Sequence, residues 1–252
     1  MTNRKMWELK ARSYKSNRAY LDSLHPGSYL RAISILLSHS DTEGKAILAL
    51  KTDLWNEGVE TERCVISVLE QRYDFLNTVG IDISGPNCRR AKDRLQRTPI
   101  INADIRALPF ARESFDAIFD LSTIDHVPLT EAEKVLNEYW RVLRKSGMLL
   151  IIFWYAGGLL SLIYRLRKPI EFRRPPYRYY FPVKVIEAHL RGFCLLNKFW
   201  MLGWGGGAVS RTGTSVGRQM YHLYLRLAYS RFSPIFKPFG GMCVLLAKKS
   251  ET

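Results

Sequence analysis

Short apolar runs alternate with amphipathic stretches through the first 156 residues. The runs at 46–50, 78–84, 100–103, 115–122 and 148–154 each have the length and apolar content of a buried strand. Between them lie helical patterns. In 60–73, Val65, Val68 and Leu69 share one face, and 87–97 reads as a short basic helix. The stretch 128–145 predicts a helix with Thr130 as N-cap, Glu133 as its capping-box partner and Gly147 just past its end. Upstream, 14–38 reads as helical pieces around the His25-Pro26-Gly27 break, with Leu30, Ile33, Leu36 and Leu37 at helical spacing. Downstream, the pattern predicts a helix at 183–189, a strand at 193–201, a helix at 219–229 and a strand at 241–248. Gly205, Gly206 and Gly207 open a tight or flexible segment between the last two helices.

Five strands alternating with helices predict a mainly parallel sheet covered on both faces, with right-handed crossovers. In such sheets ligands sit outside the carboxyl ends of the strands. One segment complicates the reading. Residues 147–164 contain no charge and are followed by Arg165, Arg167, Lys168, Arg173 and Arg174, as a short membrane span would be. A buried strand followed by a loop is preferred, because Ala156-Gly157-Gly158 breaks the apolar run. An interfacial segment is the next alternative. The polar first 20 residues lack the apolar stretch of a secretory signal.

Composition fits one large domain: 252 residues, 47% of them hydrophobic. The formal net charge is +15, and it is unevenly placed. Residues 1–156 hold 22 Lys and Arg against 20 Asp and Glu, whereas 157–252 hold 16 against 3. The basicity is therefore separable from any chemistry in the first half. The basic and aromatic stretch 165–180 suits bases and phosphates, an anionic membrane, or an anionic small substrate, and equally a solvated face. Within it, Pro175-Pro176-Tyr177 reads as a turn in a polyproline-like segment. The four cysteines form no CxxC pair, and no cluster has metal-ligand spacing, so the expectation is a reduced, cytoplasmic protein with no metal.

Acidic residues stand at successive strand ends. Asp82 closes Val79-Gly80-Ile81-Asp82, where a carboxylate can accept both hydroxyls of a ribose. Asp104 follows the third run, where a carboxylate can accept from an exocyclic amine. Leu121-Ser122-Thr123-Ile124-Asp125-His126 opens from the fourth. The ordered series VGIDIS, NADIRALPFARESFDAIFDLSTIDHV and YWRVLRKSGMLLIIF resembles the class I S-adenosylmethionine (SAM)-dependent methyltransferases, especially their small-molecule group. The resemblance is good over residues 45–156. It implies an α/β, Rossmann-like three-layer sandwich with a seven-stranded, mainly parallel sheet and an antiparallel last strand. It implies SAM as cofactor, with Asp82 on the ribose, Ile83 against the adenine, Asp104 and Ile105 at the adenine amine, and Leu121 and Ser122 beneath the methionine part. Asp125 and His126 fall where the family often places substrate-facing residues, so both are candidate proton acceptors.

The chain departs from the family after the first strand. The family's acidic-x-Gly-x-Gly loop is replaced by Leu50-Lys51-Thr52-Asp53-Leu54-Trp55-Asn56-Glu57-Gly58. In one reading Lys51 pairs the methionine carboxylate while Asp53 or Glu57 takes its ammonium, so side chains replace backbone contacts. In the other the loop no longer binds cofactor. The expected organisation is a helical cap (1–44), a SAM-binding core (45–156) and a basic elaboration (157–252) carrying the last two strands. The leading expectation is methyl transfer to a small-molecule or lipid-linked acceptor, at a position cytoplasmic or peripheral on the inner face of a membrane. RNA or protein methylation, with nucleic acid the less favoured partner, and a catalytically degenerate scaffold are the alternatives.

Overall fold

The computed structural model describes residues 3–13, 26–40, 45–58, 64–159, 162, 178–202 and 215–251. The helical reading of 14–25, the segment with Gly205, Gly206 and Gly207, and the basic stretch 163–177 lie outside the described residues. The strands are β1 (Ile47–Lys51), β2 (Leu76–Asp82), β3 (Ile100–Asn102), β4 (Phe115–Leu121), β5 (Leu143–Trp154), β6 (Phe193–Met201) and β7 (Met242–Lys249). The helices are α1 (Asn3–Ser13), α2 (Pro26–Leu37), α3 (Trp55–Gly58), α4 (Val65–Arg72), α5 (Gly85–Arg94), α6 (Ala132–Val142), α7 (Val183–His189) and α8 (Ser215–Ala228).

The strands form one sheet in the order β3-β2-β1-β4-β5-β7-β6. The first five are parallel, and β7 lies antiparallel between β5 and β6. This is the expected α/β, Rossmann-like sandwich. The alternation of buried side chains explains its two cores. Ile118, Leu149, Ile151 and Leu245 face one side, under α6 and α7 through Val135, Leu136 and Ile186. Phe119, Leu150, Ile152 and Val244 face the other, under α2, α4 and α8 through Ile33, Leu69 and Leu225. The first part of the uncharged run, Met148 to Trp154, lies in the central strand β5. Among the described residues no helix is long and apolar enough to cross a membrane.

Two local expectations are corrected. The helix predicted to reach Lys145 ends at Val142, because Leu143 is fully buried in extended backbone beside Phe115. Ser146, in left-handed backbone at φ 59°, then bulges the strand before it resumes at Met148 opposite Ala117. Nor does Thr130 cap α6. A 3-10 turn over Leu129–Glu131 precedes the helix, and no side chain caps either element. The basic helix read at 87–97 begins earlier, because Gly85-Pro86 opens α5. Pro86 sits in its first turn, and Ser84 Oγ accepts from Asn87 N.

The chain runs outward through β1, β2 and β3, then returns to place β4 beside β1. The crevice outside the carboxyl ends of β1 and β4 is the switch point where open α/β sheets bind ligands.

Candidate active site

At the end of β1, Lys51 is fully buried. Its Nζ donates to Glu57 Oε2 at 3.0 Å, to Asp53 Oδ2 at 3.1 Å and to the Asp53 carbonyl at 2.6 Å. Glu57 is also fully buried, and its other oxygen accepts from Ile66 N at the start of α4. Burial works against the Lys51 charge, but Asp53 and Glu57 outweigh it and hold the ammonium above its ordinary range. Burial raises the Glu57 carboxyl, and Lys51 pulls it back. Asp53 accepts from Trp55 N and so starts α3. Leu54 is buried, with its methyl in the space above Gly80 that a Cβ would need. Leu50 is buried in β1. Thr52 donates to Thr123 Oγ1 at 2.9 Å, joining the loops after β1 and β4.

Asp82 ends β2. Its Oδ1 accepts from Ser84 N at 2.7 Å, and its Oδ2 accepts from Leu54 N at 3.0 Å and Asn87 Nδ2 at 3.2 Å. Burial pushes its carboxyl up to about 6, against the pull of those donors. Asn87 Oδ1, beside it, is buried with no hydrogen-bond partner. A carboxylate with spare acceptor capacity next to an orphaned carbonyl suits a ligand offering hydroxyl donors. Ile83 is half-buried beside this pair. Asp104 after β3 is held by Arg106 through Nη2 at 2.7 Å and Nε at 3.0 Å, and Arg106 Nη1 reaches Glu131 at 2.5 Å. Burial opposes ionisation of Asp104, but the Arg106 guanidinium keeps its carboxyl below the usual range. Ile105 is buried behind it.

β4 supplies the densest cluster. Asp120, fully buried, accepts from Thr123 N at 2.7 Å, Ile124 N at 3.1 Å and Tyr139 Oη at 2.7 Å. Burial pushes its carboxyl up to about 7. Leu121 is buried, and Ser122 follows in left-handed backbone at φ 71°, strain of the kind that collects at functional turns. Ser122 Oγ donates to Asp125 at 3.0 Å. Asp125, expected to face a substrate, is wholly enclosed. It also accepts from Trp154 N at 3.3 Å and pairs with Arg178 Nε at 3.6 Å. His126 lies outside it, with Nε2 3.8 Å from Asp125 Oδ1. The Trp7 ring of α1 sits 4.6 Å from the His126 ring and 6.0 Å from Trp55, so the N-terminal helix covers the crevice.

Sequence reasoning did not single out Asn87, Asp120, Arg178 or Trp7. Asp120 stood in the quoted motif, one position before the residues assigned. Asn87 read only as the start of a helix. Removing the Tyr139 hydroxyl by Tyr139→Phe leaves the buried Asp120 one donor short. Chemical denaturation is expected to show a loss of about 1–2 kcal/mol.

Part of the chain is similar to known proteins. Residues 63–151 match the methyltransferase domain family model. The ubiquinone/menaquinone biosynthesis C-methyltransferase UbiE of Campylobacter jejuni is 33% identical over 86 residues, 34% of this chain. Over these residues the chain resembles class I SAM-dependent methyltransferases. Its match spans 36% of that relative's length. Among solved structures, a SAM-dependent methyltransferase of Thermotoga maritima, described as a possible histamine N-methyltransferase, superposes with a TM-score of 0.62. It is 19% identical, with 98% of this chain and 99% of that one covered. Geranyl diphosphate C-methyltransferase of Streptomyces coelicolor, solved with geranyl diphosphate and S-adenosyl-L-homocysteine, superposes with a TM-score of 0.57. It is 10% identical, covering 88% of this chain and 79% of that one. At these identities the solved structures share the fold.

Proposed function

We propose that the chain transfers the methyl group of SAM to a small-molecule or lipid-linked acceptor. The observation that carries this is the Asp82–Asn87 pair at the carboxyl end of β2, a buried carboxylate beside an orphaned acceptor within a methyltransferase domain. When bound, SAM supplies an electrophilic methyl on a sulfonium. The protein's task is to hold donor and acceptor in line and to receive a proton where the acceptor loses one. Asp82 and Asn87 accept the ribose hydroxyls, with Ile83 beside them. Asp104 and Ile105 border the adenine, and Leu121, Ser122 and Thr52 line the methionine end.

In this reading Lys51, Asp53 and Glu57 shape the loop after β1 from within. Their ion pairs take the place of the glycine turns seen in the family. His126 is the proton acceptor. Asp125 is a positioning residue, since it is enclosed and meets His126 at 3.8 Å. The acceptors named for UbiE and for the Streptomyces enzyme are the reason for favouring a small organic acceptor over RNA or protein. The positive excess of residues 157–252 suits an anionic membrane, where a lipid-linked acceptor resides.

A second reading, a cofactor-free scaffold, draws on Leu54 filling the space above Gly80 and on Lys51 being fully engaged by Asp53 and Glu57. Calorimetry with S-adenosylhomocysteine separates the two. The first expects saturable binding to the folded chain, and no heat from folded protein would establish the second. With an acceptor in hand, His126→Gln is expected to lower kcat about a hundredfold while cofactor affinity holds. Unchanged kcat would remove His126 from the proton's route.

A further inference from the structure

We infer that the outer face of α8, with the turn that follows it, is a docking surface for an anionic lipid bilayer. Val216, Met220, Leu223 and Leu227 recur at i, i+4, i+7 and i+11, which places them within one narrow stripe of the helix. That stripe faces solvent: the four side chains are 62%, 55%, 56% and 37% exposed. The opposite face, through Leu225 and Ala228, packs on the sheet, so α8 is already anchored without it.

The apolar surface continues beyond the helix. The 3-10 turn Ser233–Phe236 follows, and Ile235 and Phe239 are 63% and 55% exposed. Tyr224 and Phe236 touch with ring centroids 5.5 Å apart, which fixes the turn against the helix. Seven of the thirteen exposed large apolar side chains among the described residues fall between 216 and 239. This is a concentration, unlike the scattered single residues of an ordinary surface.

Charge decides the occupant. Arg226, Arg231 and Lys237 are exposed in this same segment. No Asp or Glu occurs from residue 188 to residue 250. A second copy would bring these cations against their own equivalents with nothing acidic to pair them. Nucleic acid would engage the cations but leave the apolar stripe in water. An anionic bilayer takes both, with apolar side chains entering the acyl boundary while Arg and Lys stay at the headgroups.

The topology joins this face to the site. The turn leads into β7, whose first residue Met242 pairs with Trp154 at the carboxyl end of β5. Leu159 N donates to the Pro238 carbonyl at 2.8 Å, so the chain leaving β5 lies along the same surface. The docking face stands without the methyl-transfer reading. Only its corollary, that the acceptor arrives from the lipid phase, rests on that reading.

The test is flotation of the full chain with vesicles of phosphatidylcholine alone or with about 30% phosphatidylglycerol, supplemented by Met220→Glu/Leu223→Glu. Both residues are exposed, and unchanged thermal melting confirms that the variant folds. The expected result is partition onto the anionic vesicles, weakened by salt and by omitting phosphatidylglycerol. The double variant should lower it more than about tenfold. No flotation, equal flotation of the variant, or equal binding to both vesicle types would overturn the inference. So would light scattering that shows a dimer which the variant splits. Calorimetry with S-adenosylhomocysteine reads the methyl-transfer proposal separately, so failure of one is distinguishable from failure of the other.

Discussion

Lys51→Met is expected to destabilise the fold by about 3–5 kcal/mol, the cost of leaving one member of a buried ion pair without its partner. Lys51 and Glu57 have no solvent exposure, and Glu57 has no other cation within ion-pair distance among the described residues. For a domain of this length the melting temperature should fall by roughly 6–20 °C. The damage should concentrate in the loop after β1, because Glu57 also holds Ile66 N, and Arg94 reaches the Glu57 carbonyl at 2.8 Å. Lys51→Met/Glu57→Gln should recover at least half of the loss, since the amide side chain retains an acceptor for Ile66 N without a buried charge. Urea denaturation of the two variants measures this. A single variant within about 1 kcal/mol of the parent would mean that Lys51 is held loosely and remains available to a ligand.

The strands were legible because a parallel strand buried on both faces must be a continuous apolar run. The reading of 148–154 as strand matches the structure on that ground, whereas 183–189 and 193–201 match as a helix and a partly buried antiparallel edge strand. The end of α6 was not legible. Val142 and Leu143 both continue the helical spacing, and only the distant partner Phe115 makes Leu143 extended. The site divides in the same way. Asp82, Asp104 and the Ser122–His126 segment could be found because strand ends are marked by composition. The engagement of Lys51 could not be found, since a six-residue separation to Glu57 has no local signature and depends on the short helix α3. Trp7 could not be placed either. It lies far upstream of His126, and nothing in a polar N-terminal helix announces the contact.

Asp82→Asn is expected to lower SAM affinity about a hundredfold, because in the proposed function it removes a charged acceptor for the ribose. Stability should fall by about 1–3 kcal/mol at the same time, since Ser84 N and Leu54 N use opposite oxygens of the carboxylate and the Asn amide nitrogen can accept from neither. Thermal melts must therefore accompany the calorimetry, which is read only while the variant is folded. The pH dependence gives the sharper check. With its carboxyl pushed up to about 6, Asp82 is mostly ionised at pH 7 and mostly protonated at pH 5. The ribose hydroxyls need the ionised form, so affinity should fall about tenfold over that interval in the parent. The Asn variant should lose that part of the dependence. Stability responds in the opposite sense. The folded chain keeps this proton to about pH 6 and the unfolded chain only to its ordinary 3.8, so the Asp82 contribution declines as pH rises between those values and is flat above them. An affinity for SAM that stays within about threefold in Asp82→Asn, with the pH profile unchanged, would remove Asp82 from the ribose.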